Sequence, residues 1–296
     1  MNALITGGLG FIGSNLVDFL VSKKWDITVI DNLSTGSLDY KNLEAEYWIK
    51  NVDELTFEDI QDFEYVFHLA ALPRIQPSFD EPIEHEDANV IITIKLLELL
   101  KQSKKLKKLV YSASSACYGT PKNYPTPESE QIQILSPYAL QKYSSEQYCL
   151  ILGERFNIPV ITLRYFNAYG PRSFNPNNTQ NAYSSVIGVF NAQKNNNTQL
   201  TITGDGSQKR DFVHAKDIAN ANYLASISPI TGESYNVGYG TCYSIIEIAK
   251  MFNTDYTFIP QRKGEAMITY ANIDKIKKDL GWVPQISIEE GISTLS

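Results

Sequence analysis

The first half of the chain alternates short runs of apolar residues with longer segments in which apolar residues recur every three or four positions. The short runs predict buried β-strands, and the periodic segments predict amphipathic helices. The strand-like runs are "NALIT", "DITVID", "YVFHLAA", "KKLVYSASS" and "PVITLRYFN". A long helix is predicted in "PIEHEDANVIITIKLLELLKQS", behind a proline that suits a helix start. This alternation predicts a parallel sheet with helices on both faces.

A glycine-rich turn connects the first predicted strand to the first predicted helix. Gly7, Gly10 and Gly13 lie there, in "ALITGGLGFIGSNLVDFL". A tight turn needs a residue without Cβ, and a pyrophosphate fits against backbone N–H groups at the positive end of a helix. This context predicts a dinucleotide site. Asp31 ends the second strand, where a carboxylate can bind the adenosine ribose and repel a 2′-phosphate; this favours NAD over NADP, with a turn cap as the alternative.

The composition of the chain changes after Tyr169, where segments rich in Asn, Gly and Pro predict loops. The segment "RDFVHAKDIANANYLASI" predicts a return to the first domain. We therefore predict an α/β protein, with a Rossmann-type doubly wound parallel sheet and a smaller C-terminal α/β substrate lobe. The predicted NAD-binding domain comprises residues 1–165 and about 212–238, and the predicted nucleotide-sugar lobe comprises about 166–211 and 239–296.

Composition narrows the classes of function. The formal net charge of −7 argues against a nucleic-acid-binding surface. Cys117, Cys149 and Cys242 are scattered without metal-ligand spacing, which predicts reduced thiols in a cytoplasmic protein and no metal site. His68 lies inside an apolar run, which predicts a core histidine. Neither a signal peptide nor a membrane span is predicted, because no segment has the required apolar length.

Tyr138 and Lys142 are four residues apart in "SPYALQKYSSEQYCL" and share one face of a predicted helix. The spacing alone is typical of ordinary surface packing. Beside a nicotinamide it has a chemical meaning, because the ammonium and the positive ring would both lower the tyrosine pKa, which is about 10 when unperturbed. A phenolate there could take a proton from an alcohol during oxidation. Ser114 and Ser115 are candidate hydroxyl donors, with a simple turn as the alternative.

The motifs together resemble those of the extended short-chain dehydrogenase/reductase family. In chain order they are "TGGLGFIGS", "DNLSTG", "HLAA", "SSACYG", "YALQK", "LRYFNAYGPR", "GDGSQKRDFVH" and "RKGEA". Within that family the chain looks most like the UDP-sugar 4-epimerases of the UDP-galactose 4-epimerase type. The resemblance implies a NAD-dependent enzyme that inverts C4 of a UDP-sugar through a transient 4-keto intermediate. It also implies a homodimer.

The resemblance assigns roles to individual residues. Ser114, Tyr138 and Lys142 would be the catalytic set, with Ser114 on the reacting sugar oxygen and Tyr138 as the base and later the acid. The residues implied to bind the cofactor are Gly7, Gly10, Phe11, Ile12, Gly13, Asp31, Asn32, Asn51, Val52, Leu69, Ala70, Ala71, Asn89, Tyr138, Lys142 and Tyr165. The residues implied to bind the substrate are Ser114, Asn167, Arg210, Arg262, Glu265 and Thr269.

The identity of the sugar and some departures from the family pattern leave alternatives open. Thr269 stands where the family often has a bulky residue, which leaves room for an N-acetyl group and favours UDP-GlcNAc/UDP-GalNAc, alone or with UDP-Glc/UDP-Gal. UDP-glucuronate is an alternative, because no residue that would bind its carboxylate can be placed from the sequence. Asn51 replaces a usual Asp near the adenine.

Other reactions of the family are less favoured. The dehydratases and decarboxylases carry carboxylates where this chain has Ser115 and Ala116, and they need those groups as acid and base. A NAD-binding regulatory scaffold is the non-enzyme alternative, and the intact set of Ser114, Tyr138 and Lys142 argues against it.

Overall fold

The computed structural model describes residues 1–174, 185–261 and 266–295. The strands are β1 (Asn2–Thr6), β2 (Asp26–Asp31), β3 (Glu46–Ile49), β4 (Tyr65–His68), β5 (Lys108–Ser114), β6 (Val160–Tyr165), β7 (Asn167–Tyr169), β8 (Leu200–Thr203), β9 (Lys209–His214), β10 (Glu233–Val237), β11 (Cys242–Ser244) and β12 (Tyr256–Ile259). The helices are α1 (Phe11–Ser22), α2 (Phe57–Ile60), α3 (Ile75–Asp80), α4 (Pro82–Glu86), α5 (Ile92–Leu100), α6 (Pro137–Phe156), α7 (Val186–Asn195), α8 (Ala215–Ile227), α9 (Ile245–Met251), α10 (Asp274–Leu280) and α11 (Ile288–Ser293).

A seven-stranded parallel sheet forms the centre of the protein, in the order β3-β2-β1-β4-β5-β6-β10. The first six strands have the doubly wound Rossmann order, so the predicted fold class is confirmed. The order in which the chain adds strands reverses between β1 and β4. Ligands of such sheets bind in the crevice beside this reversal, at the carboxyl ends of the strands.

Helices cover both faces of the sheet, which explains why its strands are continuous apolar runs. On one face Ile5 of β1 packs in a core cluster with Leu16 of α1. On the other face Leu4 packs in a second cluster with Leu97 of α5 and Cys149 of α6. Adjacent residues of one strand are thus buried in opposite layers, as the strand pleat requires.

A third cluster lies beyond the large sheet, around a sheet of β11, β9 and β7 and a parallel pair of β12 and β8. It contains Phe190 of α7, Ile202 of β8 and Phe252. The predicted domain boundary at residue 212 falls inside β9. At this point the strand passes from one cluster to another, since Phe212 belongs to the third cluster and Val213 to the first. The division into two lobes stays a prediction.

Three elements of the large sheet and its helices differ from the prediction. The edge strands β3 and β10 were not predicted: β3 has an apolar run of only three residues, and Glu46 and Ile49 in it are exposed. The predicted long helix is divided into α4, a π-helical turn over Asp87–Ile91, and α5. None of the helices in the described ranges combines the length and apolar character that crossing a membrane would require.

Candidate active site

A cavity of about 1050 Å³ lies at the carboxyl ends of the central strands of the sheet. Most of the predicted site residues line it: Gly7, Gly10, Phe11, Ile12, Gly13, Asp31, Asn32, Asn51, Val52, Leu69, Ala70, Ala71, Ser114, Tyr138, Lys142, Tyr165, Asn167, Arg210 and Thr269. Arg262 and Glu265 lie outside the described residues. The fold therefore brings residues from Gly7 to Thr269 to one site, although their roles stay predictions.

The glycine turn forms one end of this cavity, and its residues cannot be larger. Gly7 has φ +71°, and a Cβ there would lie 2.7 Å from the Ala70 backbone nitrogen. A Cβ on Gly13 would lie 2.1 Å from the Gly7 carbonyl oxygen. Gly10 is the N-cap of α1 and offers no side chain to cap the helix. The positive end of a twelve-residue helix therefore faces a cradle of backbone, which fits a pyrophosphate.

Asp31 is held at the adenosine end of the predicted cofactor site. Its Oδ2 accepts the Leu9 N–H at 2.9 Å, and its Oδ1 accepts the Leu33 N–H at 2.8 Å. Burial raises the pKa of Asp31, while these two hydrogen bonds lower it. A carboxylate has further lone pairs for ribose hydroxyls. Nearby, Asn32 Nδ2 donates to Asn51 Oδ1 at 2.7 Å. These residues fit the adenosine half of NAD.

Ser114 and Tyr138 meet because β5 ends where α6 begins. Ser136 caps α6 by accepting the Ala139 N–H at 3.2 Å, and proline occupies the first helical position. Ser114 and Tyr138 both line the cavity, and the Ser114 side chain lowers the pKa of Tyr138. The Tyr138 N–H donates to Ser78 Oγ at 3.0 Å, which joins α3 to the first turn of α6. A phenol and a hydroxyl donor therefore lie side by side on the cavity wall.

The expected fall in the Tyr138 pKa is not found among the protein's own groups. Burial raises the pKa of Tyr138, and the hydrogen bond from Ser114 and the positive charge of Arg74 oppose this rise. Lys142 is only 4% exposed, and its Nζ lies 4.4 Å from the centroid of the Tyr111 ring. Burial lowers the pKa of Lys142 to about 8. The lowering of the Tyr138 pKa by Lys142 together with the nicotinamide ring stays a prediction.

The substrate half of the cavity joins segments that are far apart in sequence. Thr269 Oγ1 donates to Asn167 Oδ1 at 2.8 Å. Arg210 Nη1 donates to the carbonyl oxygens of Lys209 and Met267, at 2.9 and 3.3 Å. A hydroxyl, an amide and a guanidinium thus contribute polar groups to the cavity wall.

Asn89 is the one predicted cofactor residue of the described ranges that does not line the cavity. Its Oδ1 accepts the Leu72 N–H at 2.8 Å, and its Nδ2 donates to the Leu72 carbonyl at 3.1 Å. Nδ2 also lies 3.2 Å from Gln141 Oε1. The structure therefore places Asn89 behind the wall, where it fixes the chain that follows β4.

His68 is confirmed as a core histidine. Its Nδ1 lies 2.7 Å from Thr6 Oγ1 and its Nε2 lies 3.0 Å from Thr93 Oγ1. Burial lowers the pKa of His68 to about 3. Across residues 1–174, 185–261 and 266–295, no group of three His, Cys, Asp or Glu side chains could hold a metal ion.

Two arginines that line the cavity had no role assigned from the sequence. Arg172 pairs with Asp18 at 2.8 Å, and its guanidinium lies 5.6 Å from the centroid of the Tyr40 ring. Arg74 follows β4, and its positive charge lowers the pKa of Tyr138. A single arginine in a predicted loop belongs to no repeating sequence pattern. Its neighbours, and so its role, can be identified only in the folded protein.

Comparisons with known proteins agree with this geometry. The family model described as "NAD dependent epimerase/dehydratase family" matches residues 3–238. A UDP-glucose 4-epimerase of Mycolicibacterium smegmatis is 30% identical, with 99% of this chain and 96% of that protein covered.

Two solved structures are close in fold. UDP-glucose 4-epimerase of Thermotoga maritima, with UDP-glucose, has a TM-score of 0.92 and 32% identity, and covers 99% of this chain and 96% of its own. UDP-N-acetylglucosamine 4-epimerase of Methanobrevibacter ruminantium, with UDP-N-acetylmuramic acid, has a TM-score of 0.91 and 34% identity, and covers 98% and 95%. With its glycine cradle, Asp31 and the Ser114–Tyr138 pair in one cavity, this chain belongs to the NAD-dependent epimerase/dehydratase family.

Proposed function

We propose that the protein is a NAD-dependent UDP-sugar 4-epimerase, acting on UDP-GlcNAc/UDP-GalNAc, UDP-Glc/UDP-Gal or both. The placement of Ser114, Tyr138 and Lys142 in one cavity with the glycine cradle carries this proposal. The reaction named for the two structural neighbours supports it. Ser115 and Ala116 also line the cavity and provide no carboxylate, which argues against dehydration and decarboxylation.

The cavity would hold NAD along its glycine side. The first turn of α1 would bind the pyrophosphate, Asp31 the adenosine ribose and Lys142 the nicotinamide ribose. When bound, NAD supplies a reversible two-electron oxidant for the C4 carbon of the sugar. Side chains of the protein would transfer the proton and hold the sugar in place.

Tyr138 carries the proton. Its phenolate oxygen takes the proton of the O4 hydroxyl as C4 becomes a carbonyl, and the phenol returns it when C4 is reduced on its other face. The Ser114 hydroxyl donates to the same sugar oxygen and holds it beside the phenol. Arg74 offsets part of the cost of a buried phenolate, because its positive charge lowers the Tyr138 pKa. The keto sugar must turn over between the two steps to give inversion.

A panel of UDP-sugars tests this function directly. We expect the purified protein to invert C4 of at least one UDP-hexose without added reductant, as followed by proton NMR. A product that has lost water or carbon dioxide would contradict the proposal, and so would the absence of any reaction across the panel. Turnover of UDP-Glc with UDP-GlcNAc left untouched would contradict the inference drawn from the small side chain of Thr269.

We also propose that two copies pair through α4 and α6. Gln141 Nε2 donates to the Pro82 carbonyl at 3.2 Å, which links the two helices on one side of the protein. Large apolar side chains remain exposed there, including Ile83, Leu140 and Ile151. A second copy would cover this surface, because exposed apolar patches commonly mark interfaces.

Ile151→Glu should convert the dimer to a monomer at micromolar concentration, because a buried unpaired charge is strongly unfavourable at an apolar interface. Ile151 is 61% exposed in the single chain, so the change should not disturb the fold. Light scattering after size exclusion measures the mass. Phe258→Glu, at a 54% exposed position on β12, is the matched control and should stay dimeric. A monomeric wild type, or a dimeric Ile151→Glu variant, would contradict the proposal.

We also propose that the protein is located in the cytoplasm. Cys117, Cys149 and Cys242 are all thiols, and the first two are buried. Scattered thiols without disulfides are typical of proteins from reducing compartments.

A further inference from the structure

The Lys142 ammonium lies over the face of the Tyr111 ring. Its Nζ is 4.4 Å from the ring centroid, and Lys142 and Tyr111 are only 4% and 1% exposed. A cation within about 6 Å of an aromatic centroid is attracted by the negative face of the ring, most strongly where both groups are withdrawn from water. This contact joins α6, which carries Lys142, to β5, which carries Tyr111.

Tyr111 is held in place by the core of the protein. It belongs to the core cluster that contains Leu97 of α5 and Cys149 of α6. The centroid of the His68 ring lies 5.7 Å from that of Tyr111, and each nitrogen of His68 contacts a threonine hydroxyl. Lys142 lines the cavity, whereas Tyr111 does not. The ring therefore lies behind the ammonium as seen from the cavity, and gives it a fixed support.

Several titratable groups surround Lys142: Tyr138, Glu146 and Cys149 on α6, Tyr111 on β5 and His68 on β4. Burial lowers the pKa of Lys142 to about 8, and the charges of Glu146 and Cys149 oppose this fall. The Glu146 carboxylate is already bound by Arg164 at 2.6–3.1 Å. Burial raises the pKa of Cys149 and lowers that of His68 to about 3, so both are neutral near pH 7.

We propose that Tyr111 is a positioning residue, which keeps Lys142 charged and holds its ammonium toward Tyr138 and the nicotinamide ribose. A carboxylate partner would cancel the positive charge and occupy N–H groups of the ammonium. An aromatic face attracts the same charge without cancelling it, so the ammonium keeps donors for the cofactor. This inference rests on the proposed epimerisation and names the group that acts on its lysine.

The first test removes the ring and follows the pH dependence of turnover. In Tyr111→Leu the acidic limb of kcat, which reports loss of the Tyr138 proton, should move to higher pH by about half a unit or more. At neutral pH kcat should fall about tenfold, because a less charged lysine stabilises the phenolate less. Tyr111→Phe keeps the ring and should recover most of both losses.

A further variant preserves the shape of the ring. Pentafluorophenylalanine at position 111 nearly matches the size of phenylalanine, but its fluorines withdraw electrons from the ring face. It should reproduce the pH shift of Tyr111→Leu without leaving a cavity, and it answers the question even if Tyr111→Leu does not fold.

The second test measures Lys142 itself and needs no turnover. Only the neutral amine reacts with an acylating reagent, so the labelled fraction of Lys142, measured by mass spectrometry after pulses at a series of pH values, gives its titration. The midpoint should fall by about half a unit or more in Tyr111→Leu and in the fluorinated variant, and should stay near that of the wild type in Tyr111→Phe.

Tyr235→Leu is the matched control, because it also removes a fully buried ring that lies beneath a lysine. Lys275 Nζ lies 4.8 Å from the centroid of Tyr235, which is on β10 and does not line the cavity. The thermal midpoint should fall about as much as in Tyr111→Leu. The acidic limb of kcat and the titration of Lys142 should stay at their wild-type values.

Three outcomes are informative in different ways. A lower thermal midpoint in Tyr111→Leu, with the pH profile and the Lys142 titration unmoved, would limit Tyr111 to core packing and overturn the inference. Equal losses in Tyr111→Phe and Tyr111→Leu would assign the effect to the hydroxyl and overturn it too. A wild type that inverts no UDP-sugar would refute the proposed function, and the Lys142 titration would still decide whether Tyr111 maintains the charge.

Discussion

Tyr138→Phe is expected to lower kcat by about 10²–10⁴-fold, because the variant has no oxygen to carry the proton of the sugar hydroxyl. The phenyl ring fills nearly the same space, and the Tyr138 N–H that donates to Ser78 belongs to the backbone and remains. Bound NAD and the thermal midpoint should therefore stay close to wild type. C4 inversion followed by proton NMR, with cofactor content measured after denaturation, gives both results on one sample.

Tyr256→Phe provides the control for this experiment, since Tyr256 is an exposed residue of β12 outside the cavity. Its turnover should equal that of the wild type. Undiminished turnover in Tyr138→Phe would remove the phenol from the mechanism, whereas bound NAD with no turnover in the wild type either would favour the regulatory-scaffold alternative. Loss of NAD together with activity would indicate a structural role for the hydroxyl.

Arg164→Met is expected to lower the free energy of unfolding by about 3–5 kcal/mol, because it leaves the buried Glu146 carboxylate without its cation. Arg164 lies on β6 and is 6% exposed. Its Nε and Nη2 donate to the Glu146 carboxylate at 2.6–3.1 Å, and its Nη1 donates to the Tyr118 hydroxyl at 2.7 Å. The pair ties β6 to α6, the helix that carries Tyr138.

Equilibrium unfolding in urea measures this loss. Lys95→Met is the control, because Lys95 forms a largely exposed pair with Asp53, and such pairs contribute about 0–1 kcal/mol. A loss below about 1 kcal/mol for Arg164→Met would mean that the packed methionine offsets the broken pair. In that case the Arg164–Glu146 pair would not be what holds α6 against β6.

The sequence pattern predicted the large sheet well because its strands are buried on both faces and are therefore continuous apolar runs. The same reasoning missed the two edge strands, β10 and β3, and two of the four residues of β3 are exposed. The same pattern placed Gly7, Asp31 and Ser114 at strand ends and Tyr138 at the start of a helix, and the structure finds all four around one cavity. Local spacing carries this information, because turn geometry and strand alternation depend on near neighbours.

Local sequence spacing could not predict which side chains are neighbours in the folded protein. Asn89 was expected against the cofactor, but it does not line the cavity and binds the backbone of Leu72, and the effect of Arg74 on the Tyr138 pKa was not predicted. Such contacts join segments that no periodic pattern relates.

The sequence by itself thus determined the doubly wound sheet, the glycine cradle and the position of Tyr138 at the start of a helix, since each follows from residue types at short spacing. Only the tertiary structure decided which charges surround that tyrosine and that Thr269 meets Asn167, 102 residues away. The physical reason is that electrostatic and hydrogen-bonding partners act through space at a few ångströms, and packing of the whole chain sets those distances.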